Sequence, residues 1–192
     1  PTVNMDFRTA TVGADGYTIT FTGPNAPSAT ASAVEGANRE NGSGTGVVSD
    51  GENWSLTGNG VMTTSTTSIE VPAIDFNENF TIELYFIASG GNYNGIFGAW
   101  KTGAGDGTGD GFDLISIEQY LDTKRLQFWH ANSISPSALQ TVRTSDEVFH
   151  ATTYQHLIVQ QNSSDSTFGT SGKQIFLNGE LVSFSIAANS NT

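Results

Sequence analysis

The sequence predicts an all-β protein, a two-sheet antiparallel β-sandwich, and three observations carry the prediction. Apolar and polar residues alternate over short runs, the signature of half-buried strands. Glycine, asparagine, serine and threonine punctuate those runs as turn-formers do. No segment has the length and period of a helix that would cross over between parallel strands.

Taken in chain order, Tyr17, Ile19 and Phe21 alternate with Thr18 and Thr20 and predict a first strand. The stretch from Gly23 to Gly51 has few bulky residues and reads as loop-like, an extended arm or linker. In Phe80–Phe86 the core face is Phe80, Ile82, Leu84 and Phe86, and the wetter face is Thr81, Glu83 and Tyr85. Gly95–Trp100, Phe112–Ile117, Leu126–Trp129 and Tyr154–Gln160 are further strands, with a glycine-aspartate loop over Thr102–Gly111. Glu118–Lys124 has room for one helical turn. Asn178-Gly179 tolerates positive φ at both positions and predicts a type I′ hairpin, pairing Phe176 with Leu181 and Ile175 with Val182. Both faces of that hairpin are apolar, so it is expected to lie under cover on each side. The expected organisation is an N-terminal strand and arm over 1–51, followed by the sandwich over 52–192.

Composition narrows the function. At 36% hydrophobic and 14% charged, the chain is too apolar and too weakly charged to remain disordered. Nineteen acidic side chains against seven basic ones give a net charge of −12, which repels phosphate backbones and anionic membranes. No nucleic-acid partner and no membrane insertion are expected. Without cysteine there is no disulfide, thiolate metal site or cysteine nucleophile.

The order of segments carries a resemblance. Trp54-Ser-Leu-Thr-Gly-Asn-Gly60, Phe80-Thr-Ile-Glu-Leu-Tyr-Phe86, Gly95-Ile-Phe-Gly98 and Gly111-Phe-Asp-Leu114 come first. Leu126-Gln-Phe128, Tyr154-Gln-His-Leu-Ile-Val159 and Ile175-Phe-Leu-Asn-Gly-Glu-Leu-Val182 follow. Over residues 52 to 186 this resembles the laminin-G-like jelly roll of the concanavalin A-like superfamily. That family pairs an "ftiefwf" strand with "giFs", "W-x-H-l-a-v" and "l-Y-v-N-G-x-l-v" elements. Tyr154 stands at the family's Trp position, with His156 in the matching place. Family members usually continue past the Asn-Gly hairpin, whereas this chain stops ten residues after Val182. The expectation is that residues around Thr9–Thr22, another chain or a longer protein supplies the remaining strands.

The resemblance implies recognition or scaffolding, and the acidic pattern of the catalytic relatives is missing. Glycoside hydrolases on this fold carry Glu-x-Asp-x-x-Glu on one strand face, which places two carboxylates for acid–base work. Glu83 stands alone in its strand, and Ile115 and Ile117 follow Asp113 where acids would be needed. Tyr85–Tyr93 echoes an alginate-lyase strand, but its lysine position is Ile87. The expected protein is not an enzyme.

Three features point to binding. Asp106, Asp110 and Asp113, among glycines that turn carbonyls inward, offer oxygen ligands for Ca²⁺; the alternative is that Asp and Gly simply make turns. Trp129, out of phase with inward-pointing Leu126 and Phe128, is placed as a sugar-stacking platform beside His130; the alternative is a sheet buried on both sides. Tyr93, next to Gly90-Gly91, is a loop-borne contact. The leading functional expectation is therefore a non-catalytic recognition module, glycan-binding or adhesive, located outside the cell, on a cell surface or on a virion. Its partners would be glycan or neighbouring protein subunits. The second is a structural subunit of a phage or viral particle, a homo-oligomer or part of a larger assembly. A divergent polysaccharide-degrading enzyme is a distant third.

Overall fold

The structure, a computed structural model, describes residues 3–35, 46–47, 54–63, 67–71, 79–87, 95–101, 112–120, 123–131, 139–145, 147–150, 152–161 and 172–189. Residues 35, 46–47, 99–101, 112–114, 129–131, 139–141 and 185–189 enter by backbone alone. The protein is all-β, its strands pair antiparallel throughout, and the described residues contain no α-helix. It forms two compact units, 1–75 and 76–192.

In the first unit β1 (Thr11–Val12) and β2 (Thr18–Thr20) make a hairpin beside β3 (Ala31–Glu35). Along β3, β7 (Thr67–Glu70) takes one edge, while β2 and β4 (Gly46–Val47) share the other at opposite ends. A separate hairpin joins β5 (Trp54–Thr57) to β6 (Gly60–Thr63). The Tyr17–Phe21 alternation works as expected: Ile19 and Phe21 are buried, and Phe7 meets Phe21 edge-on at 5.0 Å. Trp54 is buried in the same cluster. The Gly23–Gly51 stretch is not wholly a loop, because β3 and β4 run through it. Ala31 and Ala33 are fully buried there, and side chains that small do not announce a core strand in sequence.

Asp15 organises the first hairpin. Its carboxylate accepts the N–H groups of Tyr17 (3.1 Å) and Thr18 (2.9 Å) and the Thr18 hydroxyl. These donors, the Thr18 side chain foremost, hold the Asp15 carboxyl below the usual carboxylate range. A folded-state pKa depressed below the unfolded value means the contribution to stability is present above the unfolded pKa. It is lost as pH falls through the folded one. Acidification below the ordinary Asp range is therefore expected to lower the protection factors of the Tyr17 and Thr18 amides, their exchange being compared with the intrinsic rate at each pH. Asp15→Ala should show the lower protection already at neutral pH, which NMR hydrogen exchange of the variant and the parent checks.

The second unit holds two sheets. The larger runs β16–β12–β11–β10–β9, from β9 (Gly95–Lys101), β10 (Phe112–Tyr120), β11 (Arg125–Ala131), β12 (Leu139–Thr144) and β16 (Phe184–Asn189). The smaller runs β15–β14–β13–β8, from β8 (Phe80–Phe86), β13 (Gln155–Gln161), β14 (Lys173–Leu177) and β15 (Glu180–Leu181). One apolar cluster takes Ile115, Ile117, Leu126, Phe128 and Val142 from the larger sheet and Ile82, Leu157, Val159 and Ile175 from the smaller. The two sheets thus share a core, the arrangement of a β-sandwich.

The strand-face expectations for Phe80–Phe86 and for Leu126 and Phe128 match this core, while two local expectations need correction. Glu118–Tyr120 continues β10 rather than turning into a helix; the chain reverses after it, with Lys124 at φ 55°. The Asn178-Gly179 turn has both residues at positive φ, 52° and 88°, and pairs Phe176 with Leu181 as expected. It is covered on one side only: Ile175 is buried, but Leu181 is 62% exposed.

Candidate functional site

The smaller sheet turns one face to the core and the other to solvent. On the outer face alternation places Thr81, Glu83 and Tyr85 of β8 beside His156, Ile158 and Gln160 of β13 and Gln174 and Phe176 of β14. Register sets Tyr85 directly opposite His156. Their rings stack with centroids 4.3 Å apart and planes 3° apart. Cross-strand aromatic pairs of this kind stabilise a sheet by a few tenths to 1 kcal/mol, about the scale of a hydrogen bond.

Two further contacts hold the stack. His156 Nε2 lies 2.7 Å from Glu83 Oε1. An ionised carboxylate only accepts, so the Nε2–H donates, and that fixes the ring's orientation. The hairpin tip clamps the same residue through its backbone: the His156 N–H donates to Asn178 Oδ1 at 3.0 Å, and the Asn178 N–H donates to the His156 carbonyl at 2.8 Å. Tyr85 itself stays 69% exposed. A flat ring is therefore fixed in orientation on a strand, and its exposure was not exchanged for rigidity.

The larger sheet has a different polar row, on the side away from the shared core. Glu118, Gln127 and Arg143 follow one another across β10, β11 and β12 in register. The Gln127 amide donates to Glu118 Oε1 and its oxygen accepts the Arg143 Nε–H. The Arg143 guanidinium lies 3.5 Å from the centroid of the Tyr120 ring, a cation–π contact. Glu118 and Gln127 are buried as completely as the core leucines, so this sheet is buried on both faces at its centre. Acid–base hydrolysis of a glycoside requires two carboxyl groups about 5 to 10 Å apart. The side chains that this row places around Glu118 are an amide and a guanidinium.

The site residues expected from sequence fall as follows. Trp129 and His130 lie on β11, Trp129 in register with Ser116 and Thr141, His130 with Ile115 and Gln140; their side chains are outside the described residues. Tyr93, Asp106 and Asp110 lie outside the described residues altogether, and Asp113 enters through its backbone, opposite Trp100 on β9. Among the described residues no three His, Asp or Glu side chains converge on a point that would hold a metal. None of these expected residues belongs to the Tyr85–His156–Glu83 group. Alternation did mark Glu83 and Tyr85 as wet, yet pairing them with a histidine 71 residues after Tyr85 needs the β8–β13 register. Among the described residues no helix is long and apolar enough to cross a membrane. No protein family, no curated protein and no solved structure matches this chain.

Proposed function

We propose that the chain is a non-catalytic recognition module of the concanavalin A-like jelly-roll type, acting outside the cell or on a virion surface and binding glycan. The observation that carries this reading is the exposed Tyr85 ring, stacked on His156 and held by Glu83 and the Asn178 turn. An aromatic face pre-ordered on a rigid strand suits the apolar face of a sugar ring, because little side-chain entropy remains to be lost on binding. The net charge of −12 supports a ligand other than nucleic acid. Trp129, His130, Tyr93 and a Ca²⁺ held by Asp106, Asp110 and Asp113 remain the proposed contacts at the rim.

Glycan-array binding is the test. Binding that disappears with Trp129→Ala or on addition of EDTA assigns the ligand to the rim; binding that survives both assigns it to the sheet face. Prolonged incubation with the bound polysaccharide should release no new reducing ends. The absence of binding to any glycan would overturn the proposal.

The second reading, a structural subunit of a particle, is favoured by one feature. Among the described residues β8 and β9 each pair on one side only, and each is seven residues long. Long open edges invite strand addition from a neighbour. Concentration-dependent assembly in sedimentation velocity, with no affinity for glycan, would favour it.

A further inference from the structure

We infer that the outer face of the smaller sheet takes an uncharged polysaccharide and rejects anionic ones, with Tyr85 as its stacking residue. This rests on the glycan-recognition reading and names the ligand class and the surface. The argument starts with charge. The chain has no Lys or Arg between Arg39 and Lys101, none between Arg143 and Lys173, and none after Lys173. The four strands of the smaller sheet, and the segments that join β8, β13, β14 and β15 to their sequence neighbours on 72–79, 87–94 and 162–172, therefore hold a single Lys or Arg. That residue, Lys173, alternates with Ile175 and is buried with the core face. Glu83 on the outer face and Glu180 on the edge strand are both exposed. Uronates or sulfates laid on this face would meet the Glu83 and Glu180 carboxylates and no Lys or Arg to pair with, His156 being already engaged by Glu83.

The polar groups that remain match hydroxyls. Gln160 stands opposite both Thr81 and Gln174, making a row of neutral groups that each donate and accept, one strand step after another. Two residues along β8 from Thr81 comes Glu83, and two further Tyr85, so the platform extends about 13 Å along the strand. That length accommodates a short run of sugar rings rather than one. A cation is the less suitable occupant: recognition of cations uses several aromatic walls around the charge. Here the Tyr85 ring lies flat against His156, and the carboxylate beside it is already engaged with His156.

The experiment compares the whole protein and its variants by affinity electrophoresis and calorimetry. Laminarin, galactomannan and cellohexaose serve as neutral probes, alginate and heparin as anionic ones, and polylysine as a cationic one. Binding to at least one neutral probe is expected, insensitive to salt, with Tyr85→Ala weakening it at least 10-fold and Tyr85→Phe largely retaining it. Gln160→Lys should add alginate binding that salt abolishes. Unfolding midpoints of the variants show that the exposed substitutions leave the fold intact. Neutral binding that ignores Tyr85→Ala but fails in Trp129→Ala would overturn the inference while glycan recognition stands. Preference for alginate, heparin or polylysine would overturn it as well, and silence on every probe would remove both.

Discussion

Phe128→Ala is expected to lower the unfolding free energy by about 3–5 kcal/mol, the cost of emptying a fully buried aromatic site. Phe128 has no solvent exposure and lies in the cluster to which both sheets of the second unit contribute. It meets Phe80 of the opposing sheet edge-on, with centroids 6.5 Å apart. Truncation therefore removes contacts across the sandwich as well as within one sheet. The cavity cannot readily close, because the flanking backbones are fixed by ladders on both sides of β11. For a chain of this length each kcal/mol shifts the melting midpoint by about 2–4 °C, so a fall of roughly 10 °C is expected. Urea unfolding should show a lower midpoint at an unchanged slope. A loss under about 1 kcal/mol would mean that the two sheets do not share this core.

Gln127→Leu is the second large effect, expected to cost about 2–3 kcal/mol even though it places an apolar side chain at a buried site. The Gln127 amide lies between the Glu118 carboxylate and the Arg143 guanidinium and bonds to both. Leucine fills a similar volume but withdraws a donor from a fully buried carboxylate and an acceptor from Arg143. The larger part of the penalty belongs to the buried Glu118 carboxyl group, which loses a hydrogen-bond partner that water does not replace. The combined variant Glu118→Leu with Gln127→Leu should consequently be less damaging than the two single losses added together. A double-mutant cycle reads that coupling, and strict additivity would exclude it.

Several parts of this architecture are legible in the order of the residues alone. Phe80–Phe86 and Leu126–Phe128 have bulky inward residues that alternate with polar ones, and a strand's two-residue period converts that pattern into faces without knowledge of the partner. The Asn178-Gly179 turn is legible for a similar reason, since positive φ at adjacent positions is a local demand that few residue pairs meet. Ala31–Glu35 is not, because Ala31 and Ala33 bury too little area to distinguish a core strand from a linker. Glu118–Tyr120 is obscured in another way: a buried glutamate and glutamine resemble a solvated segment until the amide and guanidinium that accompany them are seen.

Local chemistry along each segment was enough to establish strands, faces, the tight hairpin and an acidic surface poor in cations. Which side chains meet across strands was settled by long-range pairing. Tyr85 opposes His156, Glu83 reaches the same ring diagonally, and Asn178 clamps its backbone, through contacts spanning 71, 73 and 22 residues of sequence. A shift of one residue in the β8–β13 register would turn Tyr85 toward the core and dissolve the group. That register depends on the summed burial of both sheets, a property that no single segment contains.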